Sequence, residues 1–326
     1  MSAIPLLLAH PGTHGVAVYS RDLAVAVTAA HPEVEVVEPA DLLRLDPGTT
    51  VHAQFTDRLW ADSPEEASRL FTELAARLRI SVTLHDVPQE SDGPRNRVRR
   101  RDAYALVARS ARGVVVNSAH ESALLREEDV WAGPVARVPL PVEVLAAPTE
   151  ERAELDGTVG VLGYFYPGKG HDEAASAAAA AGLQRMTVLG RASEGHAEDL
   201  AAFVRRARSQ GVAVDVTGWL DDAEIARRGR AVSVPLIAHR HVSASGSLAS
   251  WIGWGRRPVA MRNRYIDEMA ALRPGTLTVA DESDLAAAVR RAAADPASTR
   301  HGRDRVPGSW DDAVDAYTRW WAERGA

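Results

Sequence analysis

Short apolar runs alternate with longer amphipathic stretches from one end of the chain to the other, and no other feature narrows the possible folds so far. Apolar runs lie at 5–9, 34–37, 50–53, 80–84, 113–116 and 135–138, and helical patterns at 18–30, 64–78, 102–111 and 120–128 fall between several of them. Strands that alternate with helices in this way build a mostly parallel, doubly wound sheet. A Pro-containing, weakly periodic stretch over 138–156 interrupts the pattern, which then restarts. Strands are expected at 158–162, 186–189, 213–217, 231–236, 258–261 and 276–279, and helices at 172–181, 197–210, 222–228, 248–253 and 283–294. At 326 residues the chain exceeds the size at which a single core stops growing. The expectation is an α/β protein of two Rossmann-like domains in tandem. In such sheets ligands gather at the carboxyl ends of the strands, and two facing domains would leave a cleft. A final amphipathic run over 310–323 carries Trp310, Tyr317, Trp320 and Trp321 and is too aromatic for a free tail.

Composition removes several classes of function. The chain has no cysteine, which excludes disulfides and thiolate metal sites and fits a reducing compartment. Its first residues, MSAIPLLLAHPG, lack a basic leader segment, and no run approaches ~18 apolar residues, so a cytoplasmic protein without a membrane span is expected. A net charge of −6 argues against a general nucleic-acid binder. One basic segment stands apart: Arg95, Arg97, Arg99, Arg100 and Arg101 follow a Pro/Gly turn. It offers a contact for an anionic acceptor or an anionic lipid surface, and its plainer reading is a solvated loop.

The segment that carries most chemistry is V159-G-V-L-G-Y-F-Y-P-G-K-G-H171. A strand running into a glycine-rich turn and then a helix start gathers backbone N–H groups, the positive end of a helix and, at Lys169, a mobile ammonium, which suits a phosphate. It matches neither G-x-G-x-x-G nor G-x-x-x-x-G-K-[ST], and such turns also occur where nothing binds. After the strand at 231–236 come His239, Arg240 and His241, then S243-A-S-G-S247 before a helical run. Ser245, Gly246 and Ser247 can donate to phosphate oxygens or simply cap the helix. Arg240 is positioned to stabilise a leaving diphosphate, and no third ligand is spaced to make a metal site of the two histidines. Glu268, shortly after the strand at 258–261, can accept from ribose hydroxyls or be an ordinary helix-start acid. In the first half, His85 and Asp86 end a buried strand, and His85 is an acid/base or sugar-binding candidate with a structural role as the alternative. His14, His52, Asn117 and Ser118 are acceptor-side candidates on the same argument.

Taken in order, H10-P-G-T-H-G-V16, V82-T-L-H-D-V-P88, V114-V-V-N-S118, V161-L-G-Y-F-Y-P-G-K-G170, V216-T-G-W-L220, the stretch from Pro235 to Ser247 and G255-R-R-P-V259 resemble the GT-B glycosyltransferases, particularly the retaining family 4 group. The resemblance covers nearly the whole chain. It implies an acceptor-binding domain over 1–145, a nucleotide-sugar-binding domain over 146–309 and a last helix over 310–326 that crosses back to the first. It also implies a transfer without bound metal or cofactor, from a nucleotide-diphosphate sugar to an acceptor such as a small metabolite, a phosphorylated compound or a lipid head group. Lys169 matches the lysine that contacts the donor diphosphate, Gly15 the glycine loop of the first strand, His85 the histidine near the transferred sugar and Glu268 the ribose-binding acid. Two departures stand out. Tyr164 occupies the place of a usual arginine, and Ser243 and Trp251 occupy those of a Glu-x7-Glu pair. These departures keep open a non-catalytic nucleotide-sugar-binding or auxiliary protein, with a nucleotide-sugar epimerase as a further alternative and a dehydrogenase last.

Overall fold

The computed structural model describes residues 4–145, 155–240, 242 and 244–324. His241, Ser243 and the centre of the stretch over 138–156 lie outside the described residues. The chain divides into two compact units, Met1–Pro141 with Gly308–Ala326, and Val142–Pro307.

The first unit runs β1 (Leu6–Leu8), α1 (Gly15–Ala30), β2 (Val36–Val37), β3 (Thr50–Phe55), α2 (Asp57–Trp60), α3 (Pro64–Ala75), β4 (Arg79–Leu84), α4 (Pro94–Ser110), β5 (Val114–Val116), α5 (Ala119–Glu127) and β6 (Val135–Arg137). Its six strands are parallel in the order β2-β1-β3-β4-β5-β6. The second unit runs β7 (Val159–Leu162), α6 (His171–Ala180), β8 (Arg185–Leu189), α7 (Ala197–Ser209), β9 (Ala213–Val216), α8 (Asp222–Ala231), β10 (Val234–Ile237), α9 (Gly246–Gly253), β11 (Val259–Met261), α10 (Arg264–Leu272), β12 (Thr278–Ala280) and α11 (Leu285–Ala294). It is again all parallel, in the order β12-β11-β10-β7-β8-β9. Counted from β7 this is the 3-2-1-4-5-6 order of a Rossmann sheet, whose direction of winding reverses between β7 and β10. In the first unit the reversal falls between β1 and β3. The fold expected from the alternation of apolar runs is therefore the one observed.

Both sheets are mostly apolar, with helices packed on both faces. In the second unit one face meets the alanine-rich α6, with Ala174, Ala175 and Ala178, together with Phe203 and Val289. The other face holds Trp251, Ile252, Tyr265, Ile266 and Met269. In the first unit one face is filled by Phe55, Phe71, Tyr104 and neighbouring aliphatic residues. Its other face is shared between α1, through Tyr19, Leu23 and Val27, and α12 (Trp310–Arg324), through Val314, Tyr317, Trp320 and Trp321. Gly113 makes room for this cover, since a Cβ there would sit 2.7 Å from the Trp320 ring.

The short α2, the start of α4 and the extent of α10 differ from the sequence reading. The arginine-rich segment is the first half of α4, where the charged residues hide the helical period; Gly93 and Pro94 supply its start. Arg97 pairs with Glu128 at 2.6 Å, Arg99 with Glu65 at 2.6 Å and Arg101 with Asp102 at 2.8 Å. Arg100 is buried between Asp57 and Asp92. The basic run is thus largely neutralised within its own unit. The helix offered at Glu268 is α10, which begins earlier, with the Asn263 cap and buried Tyr265, Ile266 and Met269 as an ordinary helical signature.

Candidate functional site

At the winding reversal of the second unit, the turn after β7 meets the end of β10. Gly170, the N-cap of α6, has φ 90°, and a Cβ there would lie 2.2 Å from the Ala238 carbonyl oxygen. Only glycine permits this approach, which sets the start of α6 against β10. Gly163 and Gly168 also have positive φ, at 106° and 91°. Lys169 folds back across the turn, so that a Cβ on Gly163 would meet its Nζ at 3.1 Å, and the ammonium stands 5.5 Å from the Tyr166 ring centre. Its side chain is half-buried, and burial lowers its pKa to about 8.

Two histidines share this region. His171 lies against Phe165 and Phe203, and neither ring nitrogen has a protein partner; burial, then the Lys169 charge, lowers it to about 3. His239 follows β10, and burial, then Lys169 and His171, holds it well below its ordinary value. Both are neutral at pH 7, so the ammonium of Lys169 is the cation of this turn. Ser245 caps α9, accepting from Leu248 N at 3.1 Å and also meeting Ser247 Oγ at 3.1 Å. Gly246 and Ser247 form the first turn of α9, where backbone N–H groups lack helical partners. Glu268 lies in the body of α10, half-buried, rather than at a helix start.

Arg240 is not a free cation. Its guanidinium bridges Glu173 of α6 and Glu282, each at 2.6 Å. The two carboxylates answer the charge of this exposed guanidinium. Trp251 is fully buried in α9 and offers no acid. Among the described residues, no group of three His, Asp or Glu is placed to hold a metal ion.

In the first unit, the carboxyl ends of β3, β4 and β5 carry a different kind of site. His85 is buried, with Nε2 2.7 Å from Gln54 Oε1, its ring edge-on to Tyr19, and its carbonyl accepting from Tyr104 Oη at 2.8 Å. Burial lowers it to about 4 against the opposing pull of Asp86, so it is a neutral hydrogen-bonding group at pH 7. With Nε2–H donating to Gln54, Nδ1 is left as the acceptor. Asp86 holds φ 50°, and Arg100 fixes it by donating to its carbonyl at 2.7 Å.

The remaining candidates are mostly structural. His52 sits under α12, its nitrogens 2.9 Å from Ser81 Oγ and 3.0 Å from Thr83 Oγ1, with Tyr317 and Trp321 against its ring. Thr83 continues to Tyr317 Oη at 2.8 Å, and Tyr317 Oη lies 3.3 Å from Tyr19 Oη. This places His52 within the core, a correction to its reading as an acceptor contact. Ser118 caps α5 through Glu121 N at 2.9 Å, and Asn117 donates to Val138 O at 2.9 Å. His14 caps α1 through Val16 N at 3.2 Å but remains exposed, as does Gly15 beside it. Nothing lies within 4 Å of a Cβ added at Gly15, so a ligand can approach its backbone.

Sequence reasoning passed over Tyr19 and Arg191. Arg191 follows β8 and stacks on Tyr164, 5.7 Å from the ring centre. Its only signal was the glycine before it, which ends β8 as Gly163 ends β7.

No protein-family profile and no curated protein sequence matches the chain. Solved structures do. HepE from Anabaena in complex with UDP-glucose matches with TM-score 0.67 and 15% identity, over 97% of this chain and 91% of that one. An α,α-trehalose-phosphate synthase (UDP-forming) from Burkholderia xenovorans, in complex with glucose-6-phosphate, gives 0.65 and 12%, over 94% and 78%. A sucrose-phosphate synthase from Thermosynechococcus elongatus gives 0.64 and 16%, over 98% and 92%. The fold is GT-B. In this GT-B chain the lysine turn belongs to the sheet with the Rossmann strand order, and His85 to the sheet with the shifted order.

Proposed function

We propose that the chain is a glycosyltransferase that takes a sugar from a nucleotide-diphosphate donor bound at the second unit and passes it to an acceptor bound at the first. The observation that carries this reading is the Lys169 turn at the winding reversal, with glycines at Gly163, Gly168 and Gly170 and one cation. Backbone N–H groups at the starts of α6 and α9, with Lys169, would meet the charge that builds on the diphosphate as the sugar leaves. These groups supply the positive potential, so the proposed transfer is metal-independent and uses no cofactor. His85, neutral and hydrogen-bonded to Gln54, would orient the sugar or the acceptor hydroxyl; Gly15 and His14 lie at an exposed helix start of the same unit. Membership of the family 4 group, a retaining outcome and a cytoplasmic location belong to the same proposal. No helix among the described residues is long and apolar enough to cross a membrane.

Nucleoside diphosphate binding, followed by calorimetry on the parent and on Lys169→Ala, tests the reading. Loss of a charge-assisted contact predicts affinity lower by about tenfold to a hundredfold, and unchanged affinity overturns it. A second reading, a non-catalytic nucleotide-sugar binder, draws on Trp251 standing buried where a carboxylate was expected and on Arg240 being held by two acids. Release of free nucleoside diphosphate from a donor sugar, with acceptor or water, removes that second reading.

A further inference from the structure

Three neighbouring strands of the second unit run into glycines at their carboxyl ends. Leu162 pairs with Leu189, and Val188 with Val216. Counting forward, Gly163 and Gly190 share a rung, and Gly218 lies beyond the end of β9 beside them, with φ of 106°, 152° and 72°. A Cβ on Gly190 would stand 2.4 Å from the Gly163 carbonyl oxygen, so the approach of the turns requires glycine. Gly163 N donates to Leu189 O at 2.9 Å, Phe165 N to Arg191 O at 2.8 Å, and Gly218 N to Gly190 O at 3.1 Å. Gly190 N donates to Thr217 Oγ1 at 3.0 Å. The next rung therefore pairs Tyr164 with Arg191, and Trp219 follows Gly218 on the neighbouring strand, so the strand that leads to the arginine lies between those that lead to the two aromatic residues.

Three features of this cluster point to a ligand. Among the described residues, the exposed aromatics are Tyr164, Tyr166 and Trp219, all at the carboxyl ends of β7 and β9, and Trp219 is 66% exposed. Leaving such rings in water forgoes the stabilisation that burial would give, and their concentration on one edge marks a contact surface. Arg191 makes no ion pair among the described residues, whereas Arg240 and Arg262 on the same edge each hold two carboxylates. Its guanidinium stacks on Tyr164 instead, an arrangement that leaves the in-plane N–H donors available for phosphate oxygens.

We propose that this cluster is the nucleotide-recognition half of the donor site: Arg191 donates to the diphosphate beside Lys169, Tyr164 holds the guanidinium in plane, and Trp219 stacks on the base. The inference rests on the reading of the Lys169 turn as a diphosphate site. It gives Tyr164 a role, since the positive charge missing at its own position is supplied by the neighbouring strand.

Calorimetric titration of UDP and of inorganic pyrophosphate into the full chain, with Lys169→Ala, Arg191→Gln and Trp219→Ala beside the parent, tests it. Arg191→Gln is expected to weaken both probes by about tenfold, as loss of a charge-assisted bidentate contact should. Trp219→Ala is expected to weaken UDP by about tenfold and leave pyrophosphate within about twofold, because stacking needs the base. Both positions are exposed, so melting temperatures should hold. If Lys169→Ala loses UDP while Arg191→Gln and Trp219→Ala bind it as the parent does, the assignment of Arg191 and Trp219 is overturned and the diphosphate site stands. If the parent binds neither probe, the underlying reading falls.

Discussion

The two sheets share a plan but end differently. At the carboxyl edge of the first, several polar groups pair within the protein: His85 with Gln54, Tyr104 with the His85 carbonyl, and Arg100 with Asp57 and Asp92. At the same edge of the second, β7, β8 and β9 run into glycines, and beside the paired Arg240 and Arg262 stand a half-buried ammonium, a stacked guanidinium and exposed rings. A sealed edge contributes to stability, while an open edge is built for something that arrives later. The contrast assigns stability and binding to different residues, and each assignment can be broken.

The largest effect should come from Arg100→Ala, which strands two carboxylates that are largely buried; a loss of about 3–5 kcal/mol is expected in urea unfolding, with UDP affinity retained in the folded fraction. Stability without such a loss would mean that the first edge is not sealed as described. Gly170→Ala comes next. It forces a side chain into positive φ against the Ala238 carbonyl and should cost about 2 kcal/mol, and it should weaken UDP binding as well, because it shifts the Lys169 turn.

Effects of pH sharpen the comparison further. His10, His52, His85 and His171 are lowered from 6.5 to about 4, 3, 4 and 3, each chiefly by burial. The unfolded chain then binds more protons than the folded one between about 6.5 and 3, so stability should fall as pH drops through that window, in thermal melts at stepped pH. Lys169 works in the other direction for binding. Its charge is lost as pH rises through about 8, so UDP affinity should decline above that value, with proton uptake on binding seen as a buffer-dependent heat. The smallest effect is expected from Arg240→Ala, whose exposed ion pairs contribute little; no measurable change in melting temperature is expected, and a large drop in UDP affinity would show that Arg240 leaves its two acids when the nucleotide binds.

The sequence made the architecture legible because both sheets are parallel and covered on both faces, so most strands are short, largely apolar runs. It hid the start of α4, where Arg100 is a buried residue that no apolar pattern reveals, and the extent of α10, whose three buried residues are spread over a single short segment. The Lys169 turn was visible because its glycines and lysine are contiguous. Arg191 was not, because only the register of β7 against β8 brings it to Tyr164. His52 was misread for a related reason: its position within β3 is plain from sequence, but the aromatic cover above it comes from α12, far along the chain.

That late cover has a consequence for the order in which the protein can be built. The second unit is one continuous stretch of chain, whereas the first is split, with Trp310–Arg324 following the whole of the second. During synthesis the first sheet emerges with α1 over one part of this face and the part around His52 uncovered, and it must wait for residues beyond the second unit before Tyr317, Trp320 and Trp321 can close over it. The nascent chain therefore carries an unfinished hydrophobic surface for as long as the ribosome takes to make a complete second domain.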